Sequence, residues 1–112
     1  MRHKSKKIIL GRESAGRKAL MRSLAESLIL HGSIRTTVAK AKALRRIVEP
    51  LVTKAKRGTL TDLRAVKRVL YTDLAIKRMI GTIGPKYKER DGGYTRIIKL
   101  NRRTNDAAEM AR

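Results

Sequence analysis

The chain has 112 residues, room for one domain and too little for two separate cores. Its 29 Lys+Arg against 9 Asp+Glu give a formal net charge of +20, a self-repulsion that a polyanion relieves, so nucleic acid is the leading partner and an anionic membrane the second. The absence of Cys excludes disulfides, thiolate zinc sites and a cysteine nucleophile, and the absence of Phe and Trp leaves an aliphatic core with Tyr71, Tyr87 and Tyr94 as the aromatic residues.

Residues 1–12 are basic at Arg2, Lys4, Lys6, Lys7 and Arg12 with no acid between them, which predicts an N-terminal arm that binds nucleic acid, followed by one domain over 13–112. A first helix is expected to start after Ser14 as its N-cap and to end at His31-Gly32, with Leu20, Leu24 and Leu28 inward beside Met21 and Ala25, and Lys18, Arg22 and Glu26 on the far side. Residues 33–37 read as a strand because three of the five are β-branched. Thr36 or Thr37 then caps a second helix to about Lys56, with Leu44, Val48, Leu51, Val52 and Ala55 on its apolar face. Lys42, Arg46, Glu49 and Thr53 lie opposite, and a kink or break is expected at Pro50. Thr61 or Asp62 caps a third helix with Leu63, Val66, Val69 and Leu70 inward. Thr72 or Asp73 caps a fourth, lined by Ile76, Met79, Ile80 and Ile83 and stopped by Gly84-Pro85. A polar loop over 85–93, a strand over 94–100, a turn over 101–106 and a partial strand from Ala107 complete the chain. The order α-β-α-α-α-β-β predicts an α+β fold in two layers, helices on a small sheet.

Residues suited to catalysis are scarce. Asp62 and Asp73 are explained as helix caps, Glu26 and Glu49 as surface ion-pair partners, and His31 as a cation at a helix C-terminus. No carboxylate pair, metal-ligand cluster or Walker-type spacing is present, so neither an enzyme nor a cofactor or metal site is expected. Gly92-Gly93 reads as a turn that also permits close approach of a phosphate. Apolar runs such as Leu28-Ile29-Leu30 are far too short for a signal-peptide core or a membrane span, and the chain reads as soluble and unprocessed. The usable signal is basic: Lys18, Arg22, Lys42, Arg46, Arg64, Arg68, Lys77 and Arg78 recur on outer helix faces. Charge on many sides suits burial in folded RNA better than the single basic face of a groove-reading DNA protein, although a DNA-binding or nucleoid-associated protein remains the alternative. With so few aromatics, no platform for stacking single strands is visible, though Tyr87 and Tyr94 are each able to stack a base.

Several strings resemble the bacterial large-subunit ribosomal protein L17 family in order and spacing across essentially the whole chain. They are Met1-Arg2-His3-Lys4; Leu10-Gly11-Arg12 followed by Arg17-Lys18-Ala19-Leu20 and Arg22; Thr36-Thr37, Lys40-Ala41-Lys42, Leu44-Arg45-Arg46 and Glu49-Pro50-Leu51-Val52-Thr53; and Gly92-Gly93-Tyr94-Thr95-Arg96-Ile97. Gly16 departs from the family's usual His, and the family normally continues past the position of Arg112 with a short apolar strand. The resemblance implies a structural constituent of the large ribosomal subunit with a three-stranded sheet. It implies binding to 23S rRNA near the peptide exit on the solvent side, beside ribosomal proteins such as L32 and L22, in the cytoplasm or in an organellar ribosome. The residues expected to contact RNA are Arg2, His3, Lys4, Lys6, Lys7 and Arg12 of the arm, Arg17, Lys18 and Arg22 of the first helix, Arg35, Lys42, Arg45 and Arg46 around the second, and Lys86, Arg90, Gly93, Tyr94 and Arg96 near the end.

Overall fold

The computed structural model describes residues 9–112, so Arg2, His3, Lys4, Lys6 and Lys7 of the expected arm lie outside the described residues. Helix α1 spans Ser14–His31. Its first helical bond runs from the Arg17 N–H to the Glu13 carbonyl at 2.8 Å, so Glu13 rather than Ser14 holds the cap position, and its side chain makes no cap bond. Gly32 ends the helix as expected: its φ of 79° lets its N–H turn back to the Leu28 carbonyl. The buried face is Met21, Ala25 and Ile29, with Leu24 and Leu28 packed on its flank. The predicted leucine stripe is thus rotated by one residue, and Leu20 stays half-exposed.

Helix α2 spans Val38–Arg57, capped by Thr37, whose hydroxyl accepts the Lys40 N–H at 3.4 Å. The expected break at Pro50 does not occur. Pro50 and Arg46 are both exposed, so water can solvate the Arg46 carbonyl that the proline leaves without a donor. Helix α3, Leu60–Val69, is capped by Thr59 and not by Thr61 or Asp62. Asp62 instead closes a reciprocal cap: the Thr59 hydroxyl accepts the Asp62 N–H at 3.2 Å and donates to the Asp62 carboxylate at 2.7 Å.

Helix α4, Asp73–Arg78, is capped by Thr72. It does not stop at Gly84-Pro85. The chain widens into a π-helical turn at Met79–Ile83, where the Gly84 N–H bonds back to the Met79 carbonyl, and runs on as α5, Gly84–Lys86. Proline is tolerated here because it opens α5 at a change of helical register. Gly84 is buried against α2, and a Cβ there would lie 3.0 Å from the Ala55 carbonyl oxygen and 3.2 Å from its carbon.

The sheet is smaller than expected. Strands β1 (Thr36–Thr37), β2 (Lys99–Leu100) and β3 (Met110–Ala111) pair antiparallel in the order β1-β3-β2. Thr36 and Lys99 both face Ala111, and Thr37 and Leu100 both face Met110. The segment read as a partial strand is therefore the central one, and Ala111 is fully buried. Residues 94–98 are not in the ladder apart from Ile98, which exchanges two backbone bonds with Arg112 at 2.9 and 2.8 Å. The architecture is α+β, helices packed against a small antiparallel sheet, with the core centred on Leu44, Val48, Leu51, Val52 and Ala55 of α2.

Two glycine substitutions separate packing from propensity. Gly84→Ala forces backbone apart at Ala55 and is expected to lower stability by about 1–3 kcal/mol. Gly16→Ala, inside α1 with its nearest neighbouring atom 4.0 Å from the new Cβ, is expected to raise it by about 0.5–1 kcal/mol. Urea unfolding of the two variants checks both signs.

Candidate nucleic-acid interface

The described basic side chains are largely exposed, and among the described residues three ion pairs form: Arg57–Asp62 at 3.0 Å, Arg102–Glu109 at 3.6 Å and Arg103–Asp106 at 2.7 Å. The hydrogen bond from Arg103, followed by the Ala108 N–H, lowers the Asp106 pKa to about 2. Of the expected contact residues, Arg12, Lys18, Arg35, Lys42, Arg45, Arg46, Lys86, Arg90, Gly93 and Arg96 are exposed, and Arg17 is half-buried. No cluster of three His, Asp or Glu able to hold a metal is formed among the described residues, and none of their helices is long and apolar enough to cross a membrane.

Some of the cations line two grooves. The first runs between α1, α2 and the end of α3, with Met21, Ile47 and Val69 in its floor and Arg17, Lys18, Arg46 and Arg68 around it; no carboxylate lines it. Arg22 was expected on an outer face, but its Nε donates to the Val69 carbonyl at 2.9 Å and its guanidinium lies 4.0 Å over the Tyr71 ring. It forms a wall of the groove and ties α1 to the end of α3. Glu26 is also turned inward: its carboxylate accepts both the N–H and the hydroxyl of Thr72, at 2.8 and 2.7 Å, and so fixes the start of α4.

The second groove lies on the other side of α2, where residues 41, 45 and 48 stand roughly opposite 43, 46 and 47 at helical spacing. Its walls include Arg45, Arg78, Lys86, Arg96 and Arg112, again with no carboxylate in the lining. Glu49 builds this groove instead of facing solvent. Its carboxylate accepts the Tyr94 N–H at 3.0 Å, the Thr95 N–H at 3.0 Å and the Thr95 hydroxyl at 2.7 Å. Those bonds replace the missing ladder and pin the segment that carries Arg96 onto α2.

Tyr94 is not a stacking surface for a base. It is 9% exposed, packs edge-on against Tyr87 at 5.4 Å, receives a hydrogen bond from Lys56 at 2.8 Å and donates one to the Arg90 carbonyl at 3.0 Å. Lys56 also donates to the Arg90 carbonyl. Tyr87 has the Lys86 and Arg90 cations 5.5 and 5.7 Å from its ring centre. Gly93 has a φ of 62°, which meets the expectation of a turn, and its missing side chain leaves open space beside it. Sequence reading missed Tyr71, Glu26 and Glu49 because their partners lie more than forty positions away along the chain.

Burial pushes the Glu49 carboxyl up, but the Thr95 hydroxyl, the Tyr94 and Thr95 N–H groups and the Arg45 charge together hold it below its ordinary value of 4.5. A carboxylate depressed by folding stabilises the fold above its unfolded pKa, and the contribution is lost as pH falls through the folded value. The melting temperature should therefore fall as acid is added below about pH 4.5. Glu49→Gln, which presents an amide donor to backbone N–H groups, is expected to cost about 1–2 kcal/mol at pH 7 and to flatten part of that acid slope. Thermal melts of both proteins from pH 7 to 3 measure the two effects.

The model of the family described as ribosomal protein L17 matches residues 20–112. The chain is 49% identical over 111 residues to the large ribosomal subunit protein bL17 of Salinibacter ruber, an alignment covering 99% of this chain and 56% of that protein. The chain thus spans about half the length of the curated relative it matches. A basic α+β domain with these grooves, this family match and this identity belongs to the ribosomal protein L17 family.

Proposed function

We propose that the chain is a structural, non-enzymatic constituent of the large ribosomal subunit that binds and stabilises folded 23S rRNA. The observation that carries this reading is the placement of cations in grooves on two sides of α2, each lined without an Asp or Glu. A duplex reader needs one basic face, whereas a protein enclosed by folded RNA meets phosphates from several directions. Arg46 and Lys18 serve the first groove, and Arg45, Lys86 and Arg96 the second. Arginine suits paired hydrogen bonds to phosphate oxygens, and lysine acts as a point charge. The basic segment over residues 1–12 adds a further phosphate-binding arm to the domain over 13–112. The site lies near the peptide exit, with ribosomal proteins L32 and L22 as neighbours, in the cytoplasm.

Removing residues 1–12 is expected to reduce incorporation into large subunits, read by sedimentation of particles assembled with and without them. Normal assembly would remove the arm from the mechanism. In competition binding at physiological salt, structured 23S rRNA fragments should displace the chain from duplex DNA. Equal affinity would favour a nucleoid-type DNA-binding role.

A further inference from the structure

The groove between α1, α2 and α3 combines apolar, cationic and aromatic groups. Its floor is apolar, from Met21, Ile47 and Val69, its rim is cationic, and Tyr71 stands at its side. Tyr71 is 48% exposed in a chain with only two other aromatic side chains, and the Arg22 guanidinium stacks on it at 4.0 Å. Arg22 is itself fixed by the Val69 carbonyl at 2.9 Å, so the stacked pair is held from behind and not left to sweep through solvent. A paired helix offers phosphates but keeps its bases stacked inside, and gains nothing from an apolar floor. An unpaired nucleotide offers both: a flat base for Tyr71 and the aliphatic side chains, and a phosphate for the cations at the rim.

We propose that this groove is a seat for one unpaired RNA nucleotide, with the base stacked at the Arg22–Tyr71 pair and the adjoining phosphates held by Lys18, Arg46 and Arg68. The inference rests on the rRNA-binding reading and deepens it, because it assigns this groove to an unpaired base as well as to phosphates. Arg22 acts as a positioning residue here, since its donor groups are directed at Val69 and its plane at Tyr71. The groove's lining contains no acid to read a base edge as an acceptor, so the seat selects an unpaired base over a paired one more strongly than it selects one base over another.

The test uses the full chain and 23S rRNA transcribed in vitro, with affinity measured over a range of salt. Tyr71→Ala should weaken binding roughly 5- to 150-fold, the span of one lost base stack, and leave the salt slope unchanged because no charge is removed. Tyr71→Phe should bind like the parent. Arg46→Ala and Arg68→Ala should each weaken binding and lower the salt slope by about one. Wild-type affinity in Tyr71→Ala overturns the base seat and leaves the rRNA-binding reading intact, whereas failure of the parent chain to bind the rRNA overturns that reading itself. Ultraviolet crosslinking of the parent complex gives an answer independent of how well Tyr71→Ala folds. The expected product is a nucleotide on the peptide containing Tyr71; crosslinks on other peptides only would sink the proposal.

Discussion

Helix α2 is the element on which the rest of the molecule is assembled. Its face of Leu44, Val48, Leu51, Val52 and Ala55 meets α1, the α3–α5 run and residues near Tyr94, while its first residue, Val38, donates its N–H to the carbonyl of Glu109, just before the final strand, at 2.9 Å. The aliphatic composition of that face permits close approach, closest where Gly84 stands against the Ala55 backbone. Burial of this helix and the sheet are mechanically one unit, because Thr36 and Thr37 of β1 lead directly into it. Strands of two residues offer little on their own and hold because α2 anchors one of them.

Charge sets the second constraint. With 29 basic and 9 acidic side chains, pairing every cation is impossible, and several of the acids also order the chain. Glu26 fixes the start of α4, Glu49 clamps residues 94 and 95, Asp62 closes the cap of α3, and Asp106 shapes the loop between β2 and β3. Each of these carboxylates accepts bonds from backbone or hydroxyl groups that must be satisfied for the chain to turn there. Several negative groups thus organise the chain, while most of the described positive groups face outward. That arrangement suits a protein whose surface is completed by a polyanion, since the repulsion remaining in the isolated chain is relieved on contact with phosphate.

The functional surfaces follow from the same geometry. Groups that look interchangeable in the sequence differ once placed. Arg46 and Arg22 both sit on helices with helical spacing to other cations, but Arg46 is exposed at the edge of the first groove and Arg22 is committed to Val69 and Tyr71. Tyr94 and Tyr71 are both followed by Thr, yet one is in the core and the other is half-exposed beside a basic groove. Which aromatic residue is open to solvent is therefore decided by packing.

The sequence by itself determined the fold class, the helices and most of their ends, the aliphatic core, the basic surface and the resemblance to the L17 family, because periodicity, capping residues, composition and motif order are local properties of the chain. It also carried the turn at Gly93 and the left-handed end of α1 at Gly32, where only backbone freedom is at issue. Only the tertiary structure decided that Ala111 lies in the middle strand, that the chain passes Pro85 without ending its helix, and that Glu26 and Glu49 face inward. The physical reason is the same in each case. A strand's place in a sheet, a helix's tolerance of a proline and a carboxylate's partner all depend on which distant segment packs alongside, and the partners here are separated by dozens of residues. The first groove shows both sides: its cations were legible from spacing, while the placing of Tyr71 beside Arg22 at its side came from the packing of distant segments.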